Sequence, residues 1–315
     1  MKILVPKALR KGDTVGLISP SSTSDAPEKI EQAITYLEGN GYRVKASRYL
    51  NKAEHDPAHT DRYKLHDIHE MFSDRAVRAI FCLRGGAGAT RLLDRIDYGL
   101  IAANPKILVG YSDITALSLA LFARAGLINF SGPMITTELY DPSEYTEEHF
   151  WGMLTDPLYA RSLRNFEHHP VTCLKPGCIS GRMVGGNLSV LSSLVGTPYL
   201  PSFRNALIFA EDINEPAYRI DRMLSHLFNA GLLQKCRGLM FGQFGKNPSD
   251  ENRDYRFKKM FAYYADRMAE GAPVMTGLSY GHIRELMTMP VGAKCRIELS
   301  PGTFSFGATE PLVSA

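Results

Sequence analysis

The stretch that decides the fold is Ile107-Leu108-Val109-Gly110-Tyr111-Ser112-Asp113-Ile114, where an apolar run ends at a glycine and polar residues follow at once. The apolar run predicts a buried strand, and the segment from Ile114 to Ala125 predicts an amphipathic helix. Ser112 therefore stands at a strand-to-helix corner, where its hydroxyl can project from the sheet near the positive end of a helix. This place suits a nucleophile, although Ser and Asp are also ordinary residues at the start of a helix.

Other segments of the first half repeat this strand–loop–helix pattern. Val15–Ile18 predicts a strand before the polar turn 19–22, and Ala79–Leu83 predicts another before the glycine-rich loop 84–89. Continuous apolar strands separated by helices are typical of a parallel sheet with helices on both faces. Because ligands bind beyond the carboxyl ends of such strands, we expect the glycine-rich loop and Ser112 to face one crevice.

The second half of the chain is less regular. The polar segment 161–177 predicts a linker between a domain of residues 1–160 and a domain of residues 178–315. Near the end, apolar residues alternate with charged ones from Ala293 to Leu299, which predicts a half-exposed antiparallel strand paired with the segment 303–306. The predicted fold class is α/β, with an N-terminal parallel-sheet sandwich and a smaller C-terminal mixed α/β domain rich in β-structure.

The composition excludes several classes of protein. The chain has 315 residues with 44% hydrophobic content, which favours two domains because single cores seldom exceed about 250–300 residues. A net charge of +3, from 36 basic and 33 acidic residues, does not indicate polyanion binding, so we expect no nucleic-acid partner. We also expect no signal peptide and no membrane segment. The five scattered cysteines favour a reducing cytoplasm over a disulfide framework.

A nucleophilic serine needs a base, and the base needs an acid that orients it. Among the nine histidines, His282 is distinguished by the glycine before it, which lets the backbone approach another group closely. Glu211 directly follows an apolar strand, and a carboxylate buried at such a place usually has a partner. From these residues alone, a hydrogen-bonded loop histidine and a helix-capping carboxylate remain the simpler interpretations.

The loop Arg84-Gly85-Gly86-Ala87-Gly88 begins like a dinucleotide-binding fingerprint, but Arg91 stands where the third glycine belongs. No acidic residue at the end of a second strand completes that pattern, and the lysine of a phosphate-binding loop is absent. We interpret the loop as a source of backbone N–H donors beside Ser112, which would form an oxyanion hole. A non-enzymatic nucleotide- or sugar-binding module that uses this loop is an alternative of another class.

Taken together, these strings resemble the LD-carboxypeptidase family of serine peptidases, which includes muramoyl-tetrapeptide carboxypeptidase. The resemblance runs over most of the chain, and the number and order of the strings make it specific. The strings are Gly12-Asp13-Thr14-Val15-Gly16, Ser19-Pro20-Ser21, Arg84-Gly85-Gly86-Ala87-Gly88, Gly110-Tyr111-Ser112-Asp113, Phe130-Ser131-Gly132-Pro133-Met134, Gly185-Gly186-Asn187-Leu188, Gly196-Thr197-Pro198, Glu211-Asp212 and Gly281-His282.

The resemblance implies a catalytic triad in which Ser112 is the nucleophile and His282 is the general base and then the general acid. Glu211 would hold the imidazole in place. The resemblance also implies backbone oxyanion donors at Gly86 and Asp113, and neither a metal nor a cofactor.

Two further positions qualify the resemblance. The glycine-rich loop carries Ala87 where the family more often has tyrosine, which leaves backbone donation intact but puts the shape of the cleft in doubt. The order of serine, glutamate and histidine also occurs in α/β-hydrolases. Their serine elbow needs glycine two residues after the nucleophile, and Ile114 stands there, so we do not predict that fold.

For function, the resemblance implies hydrolysis of the amide between an L-configured centre and the terminal D-alanine of a murein tetrapeptide, through an acyl-enzyme. The protein would recycle cell wall as a homodimer in the bacterial cytoplasm. The terminal carboxylate of the substrate needs a cation, and Arg84, Arg182 and Arg284 are candidates because they lie near motifs. Some relatives cleave peptide-nucleotide antibiotics and confer immunity, which is the alternative for this triad. That activity would need an aromatic platform for a base, and the single tryptophan, Trp151, precedes the predicted linker.

Overall fold

The computed structural model describes residues 2–245 and 252–315. The strands are β1 (Thr14–Ile18), β2 (Arg43–Ala46), β3 (Val77–Cys82), β4 (Ile107–Val109), β5 (Asn129–Ser131), β6 (Thr172–Lys175), β7 (Gly177–Asn187), β8 (Ala206–Asp212), β9 (Gly238–Phe244), β10 (Val274–Thr276), β11 (Met289–Val291), β12 (Lys294–Ser300) and β13 (Thr303–Ala308). The α-helices are α1 (Pro27–Gly39), α2 (Pro57–Ser73), α3 (Tyr98–Ala103), α4 (Thr115–Ala125), α5 (Glu144–Thr155), α6 (Leu188–Ser193), α7 (Ala217–Asn229) and α8 (Arg253–Asp266). Short 3-10 helices cover Ala89–Arg95, Ser112–Ile114, Tyr159–Arg161 and Leu233–Lys235.

The first sheet has the strand order β11-β5-β4-β3-β1-β2. Strands β1 to β5 are mutually parallel, which confirms the predicted parallel sheet. The sequence analysis assigned this sheet to the first half of the chain alone, and that assignment was incomplete. Strand β11 comes from the second half and pairs antiparallel with β5 at the sheet edge. Its three residues are too few to show a period, and its central Pro290 fits an edge position.

The second sheet has the order β13-β12-β7-β8-β9-β10-β6 and is mixed. Strands β7 to β10 run parallel at its centre. Antiparallel strands flank them on both sides. Strand β12 alternates exposed and buried residues and pairs with β13, as the period of two predicted. The fold class is thus α/β with two sheets, as the sequence indicated.

Helix α4 packs between the two sheets. The sequence analysis expected an amphipathic helix here, but eight consecutive residues from Thr115 to Phe122 are buried, and only Ala123 and Arg124 reach solvent. The reason is tertiary, because α4 packs against β5 of the first sheet and also against β7 of the second. A helix covered on two sides must be apolar on both. The residues just before α4 therefore lie between the two sheets.

The segment 161–177 is more ordered than a linker. It contains β6, whose four residues pair antiparallel with β10 at the edge of the second sheet. A half-exposed edge strand of Thr, Cys, Leu and Lys carries little periodicity, which explains why the sequence analysis missed it. The division into residues 1–160 and 178–315 stays a prediction.

Neither described part of the chain contains a helix long and apolar enough to cross a bilayer. Buried apolar side chains from both sheets instead form one continuous cluster. That shared core fixes the carboxyl end of β4 relative to the carboxyl end of β8. Ser112 follows the first of these ends, and Glu211 lies at the second.

Candidate active site

Ser112 follows the carboxyl end of β4 and begins the short 3-10 helix that leads into α4. Its φ is 61°, in the left-handed region that costs a non-glycine residue roughly 1–2 kcal/mol. Neither the 3-10 helix nor α4 has a side-chain cap, so the simple capping interpretation of Ser112 and Asp113 does not describe them. The Ser112 hydroxyl instead faces a residue from the second half of the chain.

The second half of the chain supplies the other two predicted residues, His282 from the loop between β10 and β11 and Glu211 from β8. Nε2 of His282 lies 3.1 Å from Oγ of Ser112, although 170 positions separate the two residues in the chain. Nδ1 of His282 lies 2.8 Å from Oε2 of Glu211. With the Nδ1 proton donated to the carboxylate, Nε2 carries the lone pair that can accept the serine proton. The structure therefore brings the three predicted residues into one hydrogen-bonded chain.

Glu211 is completely buried at the end of β8. Its second oxygen, Oε1, accepts a hydrogen bond of 3.1 Å from Nδ2 of Asn187, at the end of the neighbouring strand β7. Oδ1 of Asn187 accepts from the backbone N–H of Val190 in α6, which fixes which end of the amide faces Glu211. The sequence analysis quoted Asn187 only within a family string, and its contact with Glu211 crosses between strands and leaves no local signal.

The approach of His282 to Glu211 depends on Gly281. Its φ is 143°, and a Cβ there would lie 2.7 Å from the backbone oxygen of Gln243. A side chain would push the loop away from β9, so the glycine permits the close approach that the sequence predicted. On its other side, the imidazole packs against the ring of Tyr111, with centroids 4.9 Å apart.

The electrostatics of the site favour a basic imidazole. Burial by itself lowers the pKa of His282, but the hydrogen bond and the negative charge of Glu211 raise it, and so do the charges of Glu138 and Asp212. The net effect is a pKa above the ordinary value of 6.5. The imidazole is thus a stronger base than free histidine, which suits the removal of a hydroxyl proton.

The two predicted oxyanion donors belong to segments that lie beside Ser112. Gly86 is in the glycine-rich loop with φ of 126°, and a Cβ on its neighbour Gly85 would lie 2.8 Å from Oγ of Ser112. Asp113 is the second residue of the 3-10 helix, where backbone N–H groups have no carbonyl one turn earlier to bond. The loop and the helix start thus lie close to the same hydroxyl.

A cavity of about 400 Å³ adjoins the imidazole, and its lining includes His282, Glu138, Lys29 and Arg284. The Glu138 carboxylate accepts hydrogen bonds from the Tyr111 hydroxyl at 2.7 Å and from the backbone of Met134 at 3.1 Å. Burial raises the pKa of Glu138, although these hydrogen bonds oppose the change. Sequence reasoning missed both Lys29 and Glu138, since each lies outside the strings that resemble the family.

The three arginines proposed to bind the substrate have different surroundings. Arg284 lines the cavity beside His282, and its guanidinium lies 3.2 Å from Asp141. Arg84 lies at the start of the glycine-rich loop, where its guanidinium contacts the backbone oxygen of Thr23.

Arg182 lies farther along its strand. It lies five residues before the Asn187 end of β7, which corresponds to roughly 16 Å along a strand. Its guanidinium pairs with Glu310 and with the backbone of Gly292. The structure thus places Arg182 away from the Asn187 end of β7, and its role as a substrate binder stays a prediction.

Trp151 is also accounted for by packing. Its ring stacks on Tyr42 with centroids 4.8 Å apart, and its indole N–H donates to the Tyr36 hydroxyl at 2.8 Å. These partners lie in α1 and in the turn between α1 and β2, and Trp151 does not line the cavity beside His282.

Comparison with known protein families gives two matches that together span most of the chain. Residues 15–132 match the LD-carboxypeptidase N-terminal domain, and residues 180–297 match the LD-carboxypeptidase C-terminal domain. Both the strand that precedes Ser112 and the segments that carry Glu211 and His282 fall inside these matches.

Individual relatives agree with the family matches. A protein of Bacillus subtilis (strain 168) described as a probable murein peptide carboxypeptidase is 38% identical over 303 residues, covering 95% of this chain and 92% of that protein. The murein tetrapeptide carboxypeptidase of Pseudomonas aeruginosa is 30% identical over 289 residues, covering 90% of this chain and 92% of that protein.

Solved structures show the same architecture. The muramoyltetrapeptide carboxypeptidase from Oxalobacter formigenes superposes with a TM-score of 0.82 at 31% identity, covering 95% of this chain and 99% of that chain. An MccF-like protein from Bacillus anthracis str. Ames superposes with a TM-score of 0.84 at 27% identity, covering 98% of this chain and 99% of that chain. From its two domain matches and these relatives, the chain belongs to the LD-carboxypeptidase family.

Proposed function

We propose that this protein is a serine-type L,D-carboxypeptidase that removes the terminal D-alanine of a murein tetrapeptide during cell-wall recycling. The observation that carries the proposal is the hydrogen-bonded chain Ser112–His282–Glu211, with distances of 3.1 and 2.8 Å. The names of the murein peptide relatives support the choice of substrate.

In the acylation step, the Ser112 hydroxyl attacks the carbonyl carbon before the terminal D-residue while Nε2 of His282 takes its proton. Glu211 stabilises the imidazolium that forms, because its carboxylate is buried and already bonded to Nδ1. The N–H groups of Gly86 and Asp113 would stabilise the negative charge on the carbonyl oxygen.

The intermediate then collapses. The C–N bond breaks and Nε2 of His282 gives its proton to the leaving amine. D-alanine departs, and the rest of the peptide stays on Ser112 as an ester. A water molecule repeats the steps in the same order, with His282 again as base and then as acid. The ester is hydrolysed, and the shortened peptide leaves with a new terminal carboxylate.

The cavity beside His282 is suited to the leaving residue. The departing nitrogen receives its proton from Nε2, so the terminal D-alanine must lie against the imidazole. The same cavity contains the cations of Arg284 and Lys29, which can bind the terminal carboxylate. Arg284 thus remains the arginine best supported as a substrate binder, and Lys29 joins it.

The proposal also includes a place and an assembly. We propose that the enzyme acts in the bacterial cytoplasm as a homodimer, as the family resemblance implies. Sedimentation of the purified protein would measure its assembly, and fractionation of cells that express it would measure its location.

The decisive experiment compares Ser112→Ala with Ser193→Ala on a murein tetrapeptide, with free D-alanine as the measured product. Ser193 is an exposed serine at the end of α6, so it controls for the loss of a hydroxyl. We expect Ser112→Ala to lose activity by several orders of magnitude and Ser193→Ala to match the wild type. Release of D-alanine by Ser112→Ala at the wild-type rate would refute the mechanism.

A second candidate substrate is a peptide-nucleotide antibiotic. The microcin C7 self-immunity protein MccF of Escherichia coli is 26% identical over 326 residues. A cavity of about 630 Å³ shares Ser143 with the cavity beside His282, and its lining includes the rings of Tyr145, Tyr159 and Phe166. These rings offer a nucleobase the platform that Trp151 does not. Cleavage of an aminoacyl-nucleotide without release of D-alanine from the tetrapeptide would favour this substrate.

The alternative of another class is a nucleotide- or sugar-binding module without catalysis. It predicts that Ser112→Ala leaves ligand binding intact and that the wild type releases no product from either substrate. The hydrogen-bonded chain at Ser112 argues for the hydrolase, because a binding loop has no need of a base and a buried acid behind it.

A further inference from the structure

An oxyanion hole formed by two separate loops needs something to hold those loops together. Gly86 follows β3 and Asp113 follows β4, so the two proposed N–H donors belong to different connections. Both donors must lie about 2.7–3.1 Å from one oxygen atom, and a displacement of about 1 Å can reduce the rate a hundredfold.

The side chain of Asp113 makes one link between these loops. Its Oδ2 accepts a hydrogen bond of 2.9 Å from the backbone N–H of Ala89, three residues beyond Gly86. The same oxygen accepts a hydrogen bond of 2.6 Å from the hydroxyl of Ser21, a fully buried residue just after β1. One carboxylate oxygen therefore joins three connections of the first sheet.

Ser22 makes the second link. Its Oγ accepts a hydrogen bond of 3.1 Å from the backbone N–H of Ala87, inside the glycine-rich loop. A Cβ at Gly86 would lie only 2.2 Å from the same Oγ, so this part of the loop rests directly on the serine. Ser22 thus contacts the glycine-rich loop beside the Gly86 donor. Ser21, one residue earlier, contacts Asp113, which supplies the other donor.

Charged side chains lie near the Asp113 carboxylate. Lys64 of α2 is buried, with 7% of its surface exposed. Asp113 and Asp61 are buried near it. Asp61 is bound by Arg91 through two hydrogen bonds of 2.9 and 3.0 Å. The Lys64 ammonium has no hydrogen bond or ion pair within 2–245 and 252–315, so its charge can act on both carboxylates at longer range.

We propose that the Asp113 carboxylate, Ser21 and Ser22 are positioning residues that hold the two oxyanion donors of this enzyme in register. The inference rests on the proposed function, since it concerns the same hydroxyl and the same oxyanion hole. It gives the Ser19-Pro20-Ser21-Ser22 turn a role in catalysis although none of its side chains touches the Ser112 hydroxyl.

The test compares four variants whose backbone N–H donors are all retained. Ser21→Ala removes the 2.6 Å hydrogen bond, and Asp113→Ala removes both bonds of Oδ2. Asp113→Asn is the conservative variant, because its amide oxygen can replace Oδ2 and accept from both donors. Ser24→Ala is the matched control, since the Ser24 hydroxyl accepts a hydrogen bond within its own segment, from the N–H of Ala26.

With tetrapeptide as substrate, we expect kcat to fall about tenfold in Ser21→Ala and about a hundredfold in Asp113→Ala, with KM within twofold of wild type. Asp113→Asn should recover most of the activity lost in Asp113→Ala, and Ser24→Ala should match the wild type. A smaller folded fraction would also lower the apparent kcat at unchanged KM, so thermal melts must show that each variant is fully folded at the assay temperature. Wild-type kcat in either Ser21→Ala or Asp113→Ala would overturn the inference.

A fluorophosphonate probe separates this inference from the choice of substrate. The Ser112 Oγ–phosphorus bond forms, the phosphorus–fluorine bond breaks, fluoride leaves, and the hydroxyl proton passes to His282. We expect Ser21→Ala to be labelled about tenfold more slowly than wild type and Ser24→Ala at the wild-type rate. Fast labelling of the wild type without tetrapeptide cleavage would refute the substrate alone. Equal labelling of Ser21→Ala and wild type would refute the inference alone, and an unlabelled wild type would refute both.

Discussion

The replacement Glu211→Gln tests the site most sharply, because the structure predicts which way the new amide must face. Asn187 directs its NH2 group at Oε1 of Glu211, and its own orientation is set by the bond that Oδ1 accepts from Val190. The glutamine must therefore turn its carbonyl oxygen to Asn187, because two NH2 groups cannot hydrogen-bond to each other.

This orientation places the glutamine NH2 group against Nδ1 of His282. The imidazole must then accept at Nδ1 and carry its proton on Nε2, which is the wrong tautomer for a base facing Ser112. Where an orienting carboxylate was replaced by an amide in another serine hydrolase, the wrong tautomer lowered kcat about 10⁴-fold, equivalent to about 5.5 kcal/mol. The complete burial of Glu211 leaves no water to restore the correct tautomer, so we expect a loss of that order.

The assay is release of D-alanine from tetrapeptide, with Glu298→Gln as the matched control on the exposed face of β12. A loss below tenfold in Glu211→Gln would refute the tautomer reasoning.

Two further results are expected. The imidazole of His282 is a base only when it is unprotonated, so its raised pKa places the acidic limb of the kcat/KM profile above pH 6.5. Glu138→Gln removes a negative charge that raises this pKa, so it should move the limb to lower pH. A pH titration of both proteins checks this, and an unmoved limb would contradict it. Arg284→Ala and Lys29→Ala should each lower kcat/KM about tenfold for a free terminal carboxylate and little for a terminal amide, since each cation contributes a charged hydrogen bond. Equal losses on both substrates would place the carboxylate elsewhere.

Much of the first sheet could be predicted because its information is local. The apolar runs at β1, β3 and β4 are continuous, and each ends in a polar or glycine-rich turn. Strand β12 could also be predicted, because its seven residues alternate with a period of two, and its pairing with β13 could be inferred from that pattern. Strands β6 and β11 could not be predicted, because their four and three residues are too few to show a period.

The candidate site divides in the same way. Ser112, Glu211 and His282 each stood at a recognisable place in the sequence, and the resemblance to a family joined them. The contact of Asn187 with Glu211 and that of Glu138 with Tyr111 had no such sign, because each joins segments that are distant in the chain. Arg182 shows that nearness to a motif in sequence does not place a side chain at the same end of a strand, since it lies five residues before the Asn187 end of β7.

By itself, the sequence determined the strand-to-helix corner at Ser112, the parallel sheet around it and the acid at the end of a second apolar strand, because these depend on residues within a few positions of one another. Only the tertiary structure decided that the imidazole lies between the serine and the acid, and that α4 is buried by two sheets at once. The physical reason is that such contacts arise when separate sheets share one core, and the packing of that core is not written in any single segment.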